Sequence, residues 1–125
     1  MSTRILVVED HEDNRRIVRE LLTSAGFEMI EAVNGEEGVA MAERHRPDLI
    51  LMDIQLPELD GYGATRRIKA DPALRTIPII AVTSYALSGD DERAYEAGCA
   101  AYVTKPFSPR QLPAKIREHL PSTES

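Results

Sequence analysis

The 125-residue sequence has little of what staples a small protein or anchors it elsewhere. Its one cysteine, Cys99, excludes a disulfide framework and any Cys-x-x-Cys metal or redox pair, and reads as a small buried apolar residue in a reducing compartment. Lys and Arg nowhere cluster with interleaved aromatics, and 15 basic against 21 acidic residues leave a net charge of −6. The phosphate-tracking stripe that nucleic-acid binding needs is therefore missing, and no direct nucleic-acid contact is expected. No apolar run approaches the ~20 residues of a membrane helix, and Met1-Ser2-Thr3-Arg4 leads into a strand pattern without a signal-peptide apolar region. A soluble, cytoplasmic protein without a membrane partner is expected. His11, His45 and His119 show no ligand spacing and are assigned to solvent-facing helices or loops, although His11 borders an acidic segment and could meet a partner. The length suits one domain over residues 1–125, with a core from about Thr3 to Leu120 and a tail, Pro121 to Ser125, expected to be disordered.

What is present is an alternation of short apolar runs with amphipathic segments, the pattern of βαβ units around a parallel sheet. Strands are expected at Arg4 to Val8, Glu28 to Ala32, Asp48 to Met52, Pro78 to Thr83 and Ala101 to Thr104. The first, third and fourth are almost wholly apolar, as strands covered on both faces must be. Between them the period is helical. Ile17, Val18, Leu21, Leu22 and Ala25 form the inward face of a first helix that stops at Gly26. A second runs from about Gly35 to Arg46 with Val39 and Ala42 inward, and Asn34-Gly35 is a strand-to-helix turn and not a hairpin. A third, about Gly61 to Ala70, presents Ala64 and Ile68 and ends at Asp71-Pro72. A fourth, Asp90 to Ala97, is closed by Gly98. The last carries Leu112, Ile116 and Leu120 at intervals of four, with Ser108 as N-cap, Pro109 at the first helical position and Gln111 completing a capping box. Pro113 then falls just past the first turn, where it removes a helical donor. These elements give a doubly wound, flavodoxin-like (βα)5 domain with a five-stranded parallel sheet in the order 2-1-3-4-5.

Acid and base groups fall at the strand ends: Glu9-Asp10 after the first, Asp53 after Leu49-Ile50-Leu51-Met52, and Lys105-Pro106 after the fifth. In an open α/β sheet these ends share one crevice, the usual ligand position. Massed carboxylates repel each other, and hard oxygen ligands with neither His nor Cys nearby suit Mg2+, with Asp10 and Asp53 as direct ligands and Glu9 acting through water. Taken singly, Glu9-Asp10 would serve equally as helix caps, Asp53 as a loop acid, Lys105 as surface and Thr83 as an ordinary strand residue. Together they gain weight: Asp53 could form an aspartyl-phosphate, Lys105 could pair with it or with a phosphoryl oxygen, and Thr83 could donate its hydroxyl to that group.

Glu9-Asp10, the run Asp53-Ile54-Gln55-Leu56-Pro57 followed by Asp60-Gly61, Thr83, and Lys105-Pro106 together resemble the receiver domain of two-component response regulators, the CheY-like family. The likeness runs from about Thr3 to Leu120. It implies that Asp53 accepts a phosphoryl group from a histidine kinase or phosphotransfer protein, with Mg2+ held by Asp10, Asp53 and the backbone carbonyl of Gln55. It further implies a cis bond before Pro106 that aims Lys105 inward, and a switch in which Thr83 moves toward the phosphate while Tyr102 turns inward. The output surface would be the fourth helix, fifth strand and fifth helix, read by a downstream regulatory protein, with a monomer or a phosphorylation-dependent dimer as the assembly. Self-catalysed phosphorylation and dephosphorylation would be modest at most. Ser84, where the family often has Ala, is small enough to leave phosphate access intact. Asp53-Ile54-Gln55-Leu56-Pro57-Glu58 with Gly89-Asp90-Asp91-Glu92-Arg93 is similar to the DivK group of cell-cycle regulators, although receivers of hybrid sensor kinases look much alike.

Rival functions fit less well. An aspartyl-phosphate phosphatase of the haloacid dehalogenase type needs a second Asp two residues beyond the first, where this chain has Gln55. A flavin carrier would place phosphate after the first strand, where Glu9-Asp10 would repel it. A phosphorylation-independent module would not need the full acceptor set. In this family Gln55 and Tyr85 tune kinetics, and a bulky Tyr85 at the crevice mouth should hinder hydrolytic water. Tyr85→Ala is therefore expected to shorten the lifetime of the phosphoryl group, measured as first-order loss of label; a longer lifetime in the variant would overturn this.

Overall fold

Five parallel strands alternate with five helices: β1 (Arg4–Val8), α1 (Glu12–Ser24), β2 (Glu28–Ala32), α2 (Gly35–His45), β3 (Leu49–Asp53), α3 (Gly61–Ala70), β4 (Ile79–Thr83), α4 (Asp90–Ala97), β5 (Ala101–Thr104) and α5 (Gln111–His119). The structure, a computed structural model, describes residues 3–54, 56, 60–83, 90–105 and 109–120, and for residues 90 and 91 the backbone alone. The sheet order is β2-β1-β3-β4-β5, as expected from the alternation. Strand bounds agree with the sequence reading to within one residue, and the single-residue shift of β3 makes Asp53 its last member.

The apolar runs of β1, β3 and β4 follow from burial on both faces. Alternate residues Leu6, Val8, Ile50, Met52, Ile79 and Ala81 pack with Ala42 of α2, Ala64 and Ile68 of α3 and Ala94 of α4. The intervening Ile5, Val7, Leu49, Leu51, Ile80 and Val82 pack with Val18 and Leu22 of α1 and Leu112 and Ile116 of α5. Fully burying one such side chain contributes about 1.5–3 kcal/mol, so the two layers hold the strand ends in fixed register. That register, Val8 opposite Met52 and Asp53 opposite Val82, brings the ends of β1, β3 and β4 level.

Two expectations are corrected. Ile17 does not face the core: it is 47 % exposed, because at 100° per residue it lies furthest round the helix from the Val18 and Leu22 positions that meet the sheet. Nor does α5 begin at Pro109. Its N-cap is Arg110, without a side-chain cap, and the first helical residue is Gln111. Pro113 thus falls inside the first turn, where its missing N–H has no intrahelical acceptor to lose. Ser108 lies outside the described residues. The helix stops and the Asn34-Gly35 turn are as read, and the turn carries a cap that the reading did not name. Asn34 Oδ1 accepts from the Glu37 N–H at 2.7 Å, which starts α2 and rules out a hairpin there. Gly26 and Gly98 follow α1 and α4 with φ of +89° and +114°.

Gly61 is required for a different reason. A Cβ there would fall onto the backbone carbonyl oxygen of Asp53 and within 2.6 Å of Ile54 Cα, so α3 starts against the end of β3 with no side chain between. Gly61→Ala is expected to cost ~3 kcal/mol, the upper end of overpacking costs. Gly26→Ala, whose Cβ meets nothing within 4 Å, should cost only the ~1–2 kcal/mol of left-handed backbone. Urea denaturation compares the two, and an equal or smaller loss in Gly61→Ala would refute the close approach.

Candidate functional site

Glu9 follows β1 directly, and its N–H donates to the carbonyl of Ala32 at 3.0 Å, which extends the β1–β2 ladder by one residue. Asp53 closes β3. Lys105 follows β5, and its N–H donates to the Thr83 carbonyl at 2.8 Å, tying it to the end of β4. Both carboxylates are almost wholly buried, Glu9 at 3 % and Asp53 at 4 %. The Lys105 stem crosses β4 to reach them: Nζ donates to Glu9 Oε1 at 2.6 Å and to Asp53 Oδ2 at 3.0 Å. The other Glu9 oxygen, Oε2, accepts from the His11 N–H at 3.1 Å and from Asn14 Nδ2 at 3.4 Å.

These contacts set the protonation states. Burial pushes the Glu9 carboxyl up, but hydrogen bonds from Lys105 and the His11 backbone N–H, with the Lys105 charge, outweigh it and hold Glu9 below its ordinary value of 4.5. Burial pushes Lys105 down, and the two carboxylates overcome that and raise it above 10.5. The Glu9 contribution to stability is lost as pH falls through its lowered value, and that of Lys105 as pH rises through its raised one. Between the ordinary values of the two groups, 4.5 and 10.5, both contributions are fully present.

Asp10 is placed differently. Its Oδ1 is buried and has no hydrogen-bond partner among the described residues, an arrangement that leaves one oxygen lone pair unmatched. His11 Nδ1 lies 3.1 Å from that oxygen, outside hydrogen-bond geometry, and 3.3 Å from Glu9 Oε2. Ligand atoms of Glu9, Asp10 and His11 all lie within 4.8 Å of one another. An oxygen-rich cluster with one orphaned carboxylate oxygen fits a hard divalent cation. The expectation that no histidine lies nearby is corrected: the turn between β1 and α1 folds the His11 ring back over the acids, while leaving its side chain 70 % exposed.

Thr83, fully buried, ends β4 opposite Thr104. Tyr102 is half-buried and packs against the layer formed with α2, α3 and α4. The structure thus brings Glu9, Asp53 and Lys105 together, with Asp10 clustered beside Glu9 and Thr83 at the adjoining strand end. Gln55, Ser84, Tyr85 and Pro106, and with them the Gln55 carbonyl and the bond before Pro106, lie outside the described residues. Sequence reading passed over Asn14, Arg15 and Glu31. Arg15 Nη1 donates to the Glu9 carbonyl at 2.8 Å. The available signal was two arginines, Arg15 and Arg19, four apart on α1, facing an acid in the middle of β2.

Carboxylates at the ends of β1 and β3, bridged by a strand-end lysine in a doubly wound sheet of order 2-1-3-4-5, define a phosphotransfer-type crevice on a flavodoxin-like fold. The receiver domain of response regulators is the family whose model matches residues 5–117, and the chain belongs to that family. It is 46 % identical over 120 residues to the polar-differentiation response regulator DivK of Brucella anthropi, covering 96 % of this chain and 98 % of that one. Among solved structures it resembles the receiver domain of a Pseudomonas aeruginosa sensor histidine kinase, which has a magnesium ion coordinated in the active-site cleft, with a TM-score of 0.88, 42 % identity and coverage of 94 % and 97 %. It also resembles the chemotaxis protein CheY4 of Vibrio cholerae, with a TM-score of 0.91, 25 % identity and coverage of 96 % and 100 %. The protein is a two-component response regulator receiver. No helix among the described residues is long and apolar enough to cross a membrane.

Without a cation, the Lys105 bridge and the Asp10 orphan make opposite predictions. Lys105→Met strands two buried carboxylates and is expected to cost ~3–5 kcal/mol. Asp10→Asn removes a charge whose buried oxygen accepts no hydrogen bond among the described residues, and should leave stability within ~0.5 kcal/mol of wild type or raise it. Urea unfolding in EDTA at neutral pH measures both; a loss in Asp10→Asn as large as that in Lys105→Met would contradict the assignment.

Proposed function

We propose that Asp53 is the phosphoacceptor of this receiver and that Asp10, Asp53 and, through water, Glu9 hold Mg2+ beside it, with the Gln55 carbonyl as a further ligand. The observation that carries this reading is the buried Asp53 carboxylate held 3.0 Å from Lys105 Nζ at the C-terminal edge of the sheet. One Asp53 oxygen attacks the phosphorus of a donor phosphohistidine, and the P–N bond breaks with its electron pair returning to the imidazole. Bound Mg2+ would neutralise charge on the transferring phosphoryl oxygens. Lys105, already oriented by Glu9, pairs with one phosphoryl oxygen, and the Thr83 hydroxyl donates to another. Pro106 orients Lys105, while Ser84 leaves access to the acceptor and Gln55 and Tyr85 set the lifetime of the acyl phosphate.

The protein acts as a switch and not as a turnover enzyme, since Gln55 supplies no general acid where a phosphatase of this chemistry would carry a second Asp. Its donors are a sensor histidine kinase or a histidine phosphotransfer protein, which places it in the cytoplasm. Movement of Thr83 and Tyr102 alters the face built by α4, β5 and α5, and a regulatory protein partner binds the two states with different affinity.

Phosphotransfer profiling tests the reading: phosphorylated histidine kinases of the same organism are offered to the protein with Mg2+, and initial rates are compared. Wild type should acquire hydroxylamine-sensitive label from a small subset of kinases. Asp53→Asn should acquire none. Equal labelling of the variant would move the acceptor elsewhere.

A further inference from the structure

Arg15 lies on α1 one turn past the acidic pair and is held from two sides. Its Nη1 donates to the Glu9 carbonyl at 2.8 Å, and its Nε donates to Glu31 Oε1 at 3.2 Å. Glu31, on β2, is itself gripped by Arg19, Nε to Oε2 at 2.9 Å and Nη2 to Oε1 at 2.7 Å. The hydrogen bond from Arg19 is the main reason that the Glu31 carboxyl sits below its ordinary value, against the upward push of burial, and it stays ionised to hold Arg15. The Arg15 side chain is 14 % exposed, so a guanidinium has been taken largely out of water to make these contacts.

The consequence falls on Glu9 and Asp10. The Glu9 N–H is fixed by the Ala32 carbonyl at 3.0 Å, and the Glu9 carbonyl by Arg15, so the backbone of this residue is tied to β2 on one side and α1 on the other. That carbonyl belongs to the peptide plane leading into Asp10. Its tilt sets where the Asp10 carboxylate points, including the buried Oδ1 that accepts no hydrogen bond among the described residues. We infer that Arg15, oriented by Glu31, is a positioning residue that fixes the Glu9–Asp10 peptide and thereby aims Asp10 at the divalent cation. The inference rests on the reading of Asp10 as a cation ligand. Groups that orient ligands in this way typically contribute 10–100-fold to metal affinity.

Charge alone makes the opposite prediction, which gives the test its force. A guanidinium near the crevice repels Mg2+, so removing it without any loss of positioning would tighten binding. Mg2+ affinity is measured by calorimetry for wild type, Arg15→Met, Arg15→Lys, Glu31→Gln, Asp10→Asn and the exposed-neighbour control Arg16→Met. Unfolding of each in EDTA gives the folded fraction. Arg15→Met should raise the Kd about 10–100-fold, Arg15→Lys should recover part of the loss, Glu31→Gln should fall between, and Arg16→Met should match wild type. With a small phosphodonor, the Mg2+ concentration for half-maximal phosphorylation should shift in Arg15→Met while the rate at saturating Mg2+ stays at the wild-type value. A Kd in Arg15→Met equal to or tighter than wild type, with binding lost in Asp10→Asn, overturns the inference and spares the reading of the site. Wild-type binding in Asp10→Asn removes that reading and the inference with it. Should Arg15→Met fail to fold, wild-type Kd values in both Arg15→Lys and Glu31→Gln overturn the inference.

Discussion

The Lys105 ammonium between two buried carboxylates is the interaction on which the crevice depends. Glu9 and Asp53 come from neighbouring strands, and at 3 % and 4 % exposure neither is solvated enough to stay ionised alone. A single cation at 2.6 Å and 3.0 Å offsets the cost of burying them and holds Glu9 ionised. Such a bridge offers little net stability over an apolar equivalent, because desolvating three charged groups offsets most of their attraction. Its value is geometric. Lys105 leaves β5, beyond β4, and reaches the ends of β3 and β1, so this sheet order lets one side chain tie the strand ends together.

Around that bridge the backbone is fixed by short contacts and by packing. Gly61 lets α3 begin against the carbonyl of Asp53, and no other residue would permit that approach. Arg15 and the Ala32 carbonyl hold Glu9 from opposite sides. The packed layers on both faces of β1, β3 and β4 supply the rigidity that loop residues lack. Among the described residues the one buried side-chain oxygen or nitrogen without a hydrogen bond is Asp10 Oδ1, so the crevice is rigid in its lysine bridge and keeps an oxygen open to the proposed cation.

The fold was legible because its signals are redundant. An apolar run on both faces, as in Leu49-Ile50-Leu51-Met52, can only be a central strand, and Asn34 and Gly26 mark helix ends by local chemistry. Where two signals competed, the reading failed. Ser108-Pro109 looked like a helix start, yet packing of Leu112 and Ile116 allows α5 to begin at Gln111, and a first-turn Pro113 is harmless. Ile17 belongs to the apolar pattern of α1 but not to the arc that meets the sheet. The acidic and basic side chains at strand ends could be named from position alone. The pairing of Lys105 with Glu9 as well as Asp53 could not, since it depends on the reach of a side chain across β4. Arg15 was only half legible for a related reason: its spacing from Arg19 hints at Glu31, but its bond to the Glu9 backbone carbonyl is encoded by no sequence pattern.

The same geometry indicates how charge at Asp53 can reach the rest of the domain. A phosphoryl group on Asp53 would replace the single carboxylate charge with about 1.5–2 negative charges at pH 7, carried further out on phosphoryl oxygens, and these would draw Lys105 away from Glu9 toward the new oxygens. Lys105 cannot shift alone, because its N–H is bonded to the Thr83 carbonyl at 2.8 Å. The residue proposed to donate a hydroxyl to the phosphoryl group is therefore joined through backbone to the residue proposed to neutralise it. Tyr102 lies three residues before Lys105 on β5, opposite Ala81 of β4, and is only half-buried against the adjoining layer. An edge strand with a half-buried aromatic can change its packing at lower cost than the fully buried β3 or β4. The strand joined to the proposed acceptor site through Lys105 is thus packed less tightly than β3 or β4, as the proposed switch at this face requires.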